Sequence, residues 1–175
     1  AGCMALPRVL SLDANGDLEM RFAAESQSLR EKQWFGKRAP VGSLARALQG
    51  FRIANVAGEF CWATESPRST FALQDRGGPW LSLTLEPQDA STVKLSVNGK
   101  SVDLPMRSER EFRFHLLLDA SVGELICNAR HALTTRIYRQ PDGPLGIRVD
   151  DSDLAKPVSL EVWQLRPISS DRLTS

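Results

Sequence analysis

The chain of 175 residues is poor in the features that define several functional classes. It has only three cysteines, Cys3, Cys61 and Cys127, an odd number with no close spacing. That spacing argues against a disulfide framework or a zinc site, and reads as reduced, mostly buried thiols, with a single bridge left open. It has almost no net charge, +1 from 22 basic and 21 acidic side chains, so no electrostatic case exists for nucleic acid or an anionic membrane as partner. No apolar run approaches the roughly 18 residues of a membrane-spanning helix. Internal repeats and low-complexity tracts are missing. The two histidines, His115 and His131, have no partners at ligand or catalytic spacing and read as surface or loop residues. The first residues, Ala1-Gly2-Cys3, read as a cut within a longer sequence, so the compartment stays open.

What is present is β patterning nearly throughout. Hydrophobic residues at 42% and charged residues at 25% suit a globular domain. Leu6 to Leu12 and Leu18 to Phe22 flank the turn-rich Asp13-Ala14-Asn15-Gly16-Asp17 and predict a hairpin. Residues 23 to 38 read as a linker with a short helix after Ala24, and Ala45 to Gln49 as a turn of helix or the lead into a strand. From Phe51 onward apolar and polar residues alternate. Phe60 and Trp62 oppose Glu59, Cys61 and Ala63, while Leu81, Leu83 and Leu85 oppose Ser82, Thr84 and Glu86. Asn98-Gly99 marks a two-residue hairpin turn, which pairs Val97 with Lys100, Leu95 with Val102 and Val93 with Leu104. Phe112 to Leu118 forms another alternating strand, with His115 on its polar face. The next strand, around Leu125 and Cys127, carries Val122 and Ile126 on its other side and reads as covered on both faces. Short strands recurring every 8 to 12 residues predict an all-β fold, a two-sheet antiparallel β-sandwich.

Within this pattern, Glu124 lies between Val122 and Ile126, a candidate half-buried carboxylate. Such a group needs a partner, and Arg136 on a neighbouring strand is the expected one. The pair would fix strand register or a domain interface; a sugar contact is the alternative. Asp119 and Ser121 suit a tight turn, and Ser121 has no nucleophile elbow around it. Trp62 and Trp163 sit in alternating strands and read as core. Trp34 and Trp80 lie in loop-like context and are the aromatic candidates for contact with a sugar or a partner domain.

The ordered set Asp119, Ser121, Glu124, then Thr134, Arg136 and Tyr138 resembles the Asp-x-Ser-x-x-Glu and Thr-x-Arg-x-Tyr signatures of the C-terminal β-sandwich of glycoside hydrolase family 32. Ala120 stands where that family often has Gly, and Ile126 where it usually has Phe. Met4 to Leu12, with Leu6-Pro7-Arg8, resembles the segment that closes the family's catalytic domain, and Glu25 to Arg30 the linker after it. The resemblance implies a concanavalin A-like or jelly-roll sandwich at residues 39–175, preceded by a hairpin and linker at 1–38 left from the catalytic domain. It implies a five-bladed propeller of the same parent chain as partner, with fructose-containing carbohydrate and a second copy of the chain as further partners. The parent would cleave sucrose or fructans. The family's nucleophile, transition-state and acid/base motifs do not occur here, so the resemblance implies no catalytic residue, no metal ligand and no cofactor in this chain. An autonomous carbohydrate-binding module is the alternative.

Overall fold

In the computed structural model, which describes residues 6–54, 56–106 and 111–166, thirteen strands follow one another with a single short α-helix. They are β1 (Arg8–Leu12), β2 (Leu18–Phe22), β3 (Arg30–Pro40), β4 (Gly58–Thr64), β5 (Ser69–Asp75), β6 (Gly78–Pro87), β7 (Thr92–Val97), β8 (Lys100–Pro105), β9 (Phe112–Asp119), β10 (Val122–Cys127), β11 (His131–Arg136), β12 (Gly146–Asp151) and β13 (Pro157–Leu165). A 3-10 helix covers Ala24–Leu29, and α1 spans Val41–Ala47. No helix among the described residues is long and apolar enough to cross a membrane.

The strands form two antiparallel sheets and a separate hairpin. One sheet has the order β11-β10-β9-β4-β13-β3, the other β12-β5-β6-β7-β8, and β1 pairs only with β2. The fold is therefore the expected all-β sandwich with an N-terminal hairpin. Between the sheets lies the main core, where Phe60, Trp62, Phe71, Leu83, Leu116 and Leu160 meet. Trp62 stacks on Phe114 at 4.6 Å and on Phe71 at 5.7 Å, an offset arrangement that adds to area burial. Val41 and Leu44 of α1 close one end of this core.

Local chemistry explains the most legible elements. Asn98 and Gly99 both adopt positive φ, 45° and 83°, and the strands they join pair in the register read from sequence. Strand β10 is buried along nearly its whole length, as its two apolar faces require.

The linker reading of residues 30 to 38 is corrected by β3. This eleven-residue strand forms the edge of the six-stranded sheet and pairs with β13 from Pro40↔Pro157 to Arg30↔Leu165. Its alternation is hidden by a bulge, where Trp34 is the extra residue between Phe35↔Val162 and Gln33↔Trp163. Trp80, read as part of a loop, lies in β6 and is only 4% exposed; its indole N–H donates to the Arg139 carbonyl at 2.6 Å.

Candidate functional site

The outer face of the six-stranded sheet, turned away from the main core, carries the unusual chemistry. On an open sheet this face would be polar. Here Leu117 and Ile126 are apolar, and hairpin β1–β2 covers them with Phe22, Leu6 and Met20 to make a second small core. Two glutamates on the same face, Glu59 of β4 and Glu124 of β10, are 1% and 3% exposed. A carboxylate so buried costs several kcal/mol unless it is paired.

Each glutamate is claimed by an arginine from the N-terminal segment. Glu124 accepts the Leu6 backbone N–H at 2.7 Å and Arg8 Nη2 at 3.0 Å. The expected Glu124–Arg136 pair is not formed. The β10–β11 register sets Arg136 opposite Val122 and Thr134 opposite Glu124, and both Arg136 and Thr134 face solvent. Glu59 accepts two bonds from Arg30, from Nε at 2.7 Å and Nη2 at 2.8 Å, while the guanidinium lies 4.8 Å from the Trp163 ring centroid.

His115, read as a surface residue, is instead the third member of the Glu59 cluster. Its Nε2 stands 2.6 Å from Glu59 Oε1, and Phe22 of the hairpin meets its ring edge-on at 4.8 Å. Burial pushes the Glu59 carboxyl up, but the bonds from Arg30 and His115 outweigh it and hold the group at about 2. An ionised carboxylate only accepts, so Nε2 of His115 carries a proton. Cys61, two residues from Glu59 on the same face, is a free thiol pushed up to about 12 by burial and then by the charge of Glu59. The oxygen, sulfur and nitrogen donors of Glu59, Cys61 and His115 all lie within 4.8 Å of one another.

A further set of bonds holds the hairpin tip. Arg130, in the β10–β11 turn, donates to Asp13 at 2.5 Å and Asp17 at 3.3 Å, and the Met20 N–H donates to the Ala129 carbonyl at 2.7 Å. The bond from Arg130, chiefly, holds the Asp13 carboxyl below its ordinary value.

The remaining signature residues are spread along one end of the sheet. Asp119 and Ser121 bracket the β9–β10 turn, and the Ser121 carbonyl accepts the Ile137 N–H at 2.7 Å. The Thr134 carbonyl accepts Lys100 Nζ at 2.9 Å, which ties the two sheets together. Arg136 lies 5.7 Å from the ring centroid of Tyr138, which is 84% exposed. Trp34 is half-buried, with its indole N–H donated to Gln164 at 3.1 Å. Ala1 to Ala5, with Cys3 and the start of the N-terminal motif, lie outside the described residues.

The sequence gives Glu59 and Arg130 no role, and Arg8 and Arg30 only a place in the two N-terminal segments. The available signal was Leu117, which extends onto the next strand the covered face already read from Val122 and Ile126. Such a face is covered, and any carboxylate on it needs a cation.

No family model and no curated protein matches the sequence. Solved structures do match by fold. The GH32 β-fructofuranosidase of Bombyx mori superposes with a TM-score of 0.62 at 19% identity, over 93% of this chain and 32% of its own. Sucrose-6-phosphate hydrolase from Lactobacillus gasseri gives 0.62 at 15% identity, over 91% and 33%. Exo-inulinase from Aspergillus awamori gives 0.64 at 13% identity, over 93% and 35%. The chain thus spans about a third of the length of each enzyme, and the rest of each lies outside the match. The fold of this chain is that of one part of the GH32 fructofuranosidases, consistent with the C-terminal β-sandwich to which the sequence resemblance points.

Proposed function

We propose that this chain is the non-catalytic C-terminal β-sandwich of a glycoside hydrolase that cleaves sucrose or fructans, and that it docks on and stabilises the catalytic propeller of its parent. The observation that carries this reading is the hairpin. A two-stranded ribbon is marginal alone, yet this one is fastened to the sandwich by Arg8 on Glu124, by Phe22 against His115, and by Arg130 on Asp13 and Asp17. It still leaves Val9, Leu10, Leu12 and Leu18 between 52% and 69% exposed. Apolar side chains held out on a fastened ribbon mark a surface made for a further domain. The hairpin sequence contains the Leu-Pro-Arg segment that resembles the close of the family's catalytic domain, and Arg8 of that segment binds Glu124 of the sandwich signature. The two stretches that carry the resemblance therefore meet in space.

The carbohydrate-binding alternative rested on Trp34 and Trp80. Trp80 has no free ring face, and Trp34 is half-buried with its N–H engaged, so the docking reading is favoured. The test is calorimetric titration of the chain with fructose, sucrose, levan and inulin beside an assay of sucrose cleavage. Neither heat nor turnover is expected. Saturable binding lost in Trp34→Ala would move the function to sugar recognition, and turnover by the pure chain would overturn the non-catalytic reading.

A further inference from the structure

We propose that Glu59, Cys61 and His115 form a binding site for a thiophilic divalent cation, zinc in the first instance. The site does not depend on the parent activity proposed above. Glu59 and Cys61 are two residues apart on β4 and share its outer face, and His115 of β9 lies directly opposite Cys61 in the register. A strand pair thus presents a carboxylate, a thiol and an imidazole from one patch of rigid sheet. Linear spacing argued against zinc because it does not show donors that meet across strands.

The separations lie on either side of what zinc requires, with no pair of donors more than 4.8 Å apart. Zinc bonds of about 2.0–2.3 Å in a tetrahedron set donors roughly 3.3–3.8 Å apart. Cys61 Sγ is 3.9 Å from Glu59 Oε1, and His115 Nε2 is 2.6 Å from the same oxygen, with a proton between them. The cation would take the place of that shared proton, and the two donors would part by about 0.7 Å. It would also displace the thiol proton of Cys61, as a bound divalent ion does when it becomes the largest local charge. The thiol proton passes to solvent, the imidazole proton moves from Nε2 to Nδ1 so that Nε2 offers its lone pair, and no redox change is involved.

The surroundings supply the rest of a site. Arg30 bonds both oxygens of Glu59, Nε to Oε2 at 2.7 Å and Nη2 to Oε1 at 2.8 Å; the metal would displace the Nη2 bond, while Nε on Oε2 keeps the carboxylate oriented, the task outer ligands perform at metal centres. The cationic Arg30 also opposes the metal, which limits its affinity. Glu161 of β13 is paired with Cys61 on the side opposite His115, so a second carboxylate stands next to the set. Cys61 and Glu161 both line an open cavity of about 270 Å³ that Glu59 and His115 do not line, so the thiol is the side from which a metal would approach.

The experiment is titration of the chain with cobalt(II), carried out in a Cys3→Ser background and followed by absorption. A thiolate-to-cobalt charge-transfer band is expected to grow to one equivalent and to disappear when zinc is added. Cys61→Ser should abolish it. His115→Gln, which can still donate to Glu59, should also lose it while the thermal melt of the metal-free protein stays close to the parent's. Cys127→Ser should leave it intact. No band from folded protein, or a band that survives Cys61→Ser or His115→Gln, would overturn the site.

Discussion

The outer faces of the two sheets are built on opposite rules. On the five-stranded sheet Thr70, Ser82, Thr84, Glu86, Lys94 and Asp103 look outward, none of them buried. Opposite charges sit across strands there, Glu86 beside Lys94 and Lys94 beside Asp103. On the six-stranded sheet the same kind of position holds Glu59, Leu117, Glu124 and Ile126, all buried. The first face meets water, and its charges need no fixed partner. The second meets the hairpin, so each carboxylate must be matched by a particular cation, and Arg8 and Arg30 come from outside the sheet's central strands to do it. A buried carboxylate on a sheet face therefore reports what has been laid over that face.

The sharpest way to break this comparison is to remove a cation from one face and a charge from the other. Arg30→Ala leaves Glu59 buried with only His115 beside it, and should cost about 3 kcal/mol in urea unfolding. Glu86→Ala on the open face should stay within about 0.5 kcal/mol of the parent. Equal costs would mean that the two faces do not differ in kind.

Acid should separate the faces next. The Glu59 carboxyl is held at about 2, below its ordinary value of 4.5, because its bonds to Arg30 and His115 override the opposing effect of burial. A carboxylate depressed in the folded state stabilises above its unfolded value and loses that contribution as pH falls through the folded one. Stability should therefore fall between about pH 4.5 and pH 2, and Glu59→Gln should flatten that part of the melting-temperature profile. A profile unchanged by the substitution would remove Glu59 from the acid response.

Arg8→Ala tests the fastening of the hairpin itself. Arg8 is more exposed than Glu124, 23% against 4% for the side chains, and the Leu6 N–H remains on the carboxylate. The expected loss is about 1–2 kcal/mol, felt locally. Hydrogen exchange at the Met20 amide, which bonds to Ala129, should quicken, while amides of β6 and β7 should not change. Uniform acceleration across both sheets would show that hairpin and sandwich unfold as one unit.

These contrasts also explain what could be read in the sequence. The five-stranded sheet has one wet face, so period-two alternation gives its strands and the Asn98-Gly99 turn gives the β7–β8 register. In the six-stranded sheet, β10 shows that it is covered on both sides but not by what. Arg8 reaches Glu124 across 116 residues of chain, and no local pattern carries that pairing. Strand β3 was hidden because the bulge at Trp34 breaks its period and most of its residues are exposed at an edge. Trp80 was misplaced because Gly77-Gly78-Pro79 has the composition of a loop, whereas Gly78 and Pro79 already pair with Asp75 and Gln74.

The smallest predicted effect concerns the turn that leads into the covered face. Ala120, between β9 and β10, adopts φ of +48°, where a Cβ is strained. Asn98 holds a similar φ of 45° in the turn of the open sheet, but its side chain accepts the Ser82 N–H at 2.8 Å and so gains something in return. Alanine has no such bond to make. Glycine at 120 would relieve roughly 1 kcal/mol of strain and give back part of it through a freer unfolded chain, for a net gain near 0.5 kcal/mol. Thermal unfolding of Ala120→Gly should show a small rise in midpoint, with the Glu59 acid profile unchanged. A loss of stability would mean that the turn is held by its surroundings firmly enough for the added freedom of the unfolded chain to dominate.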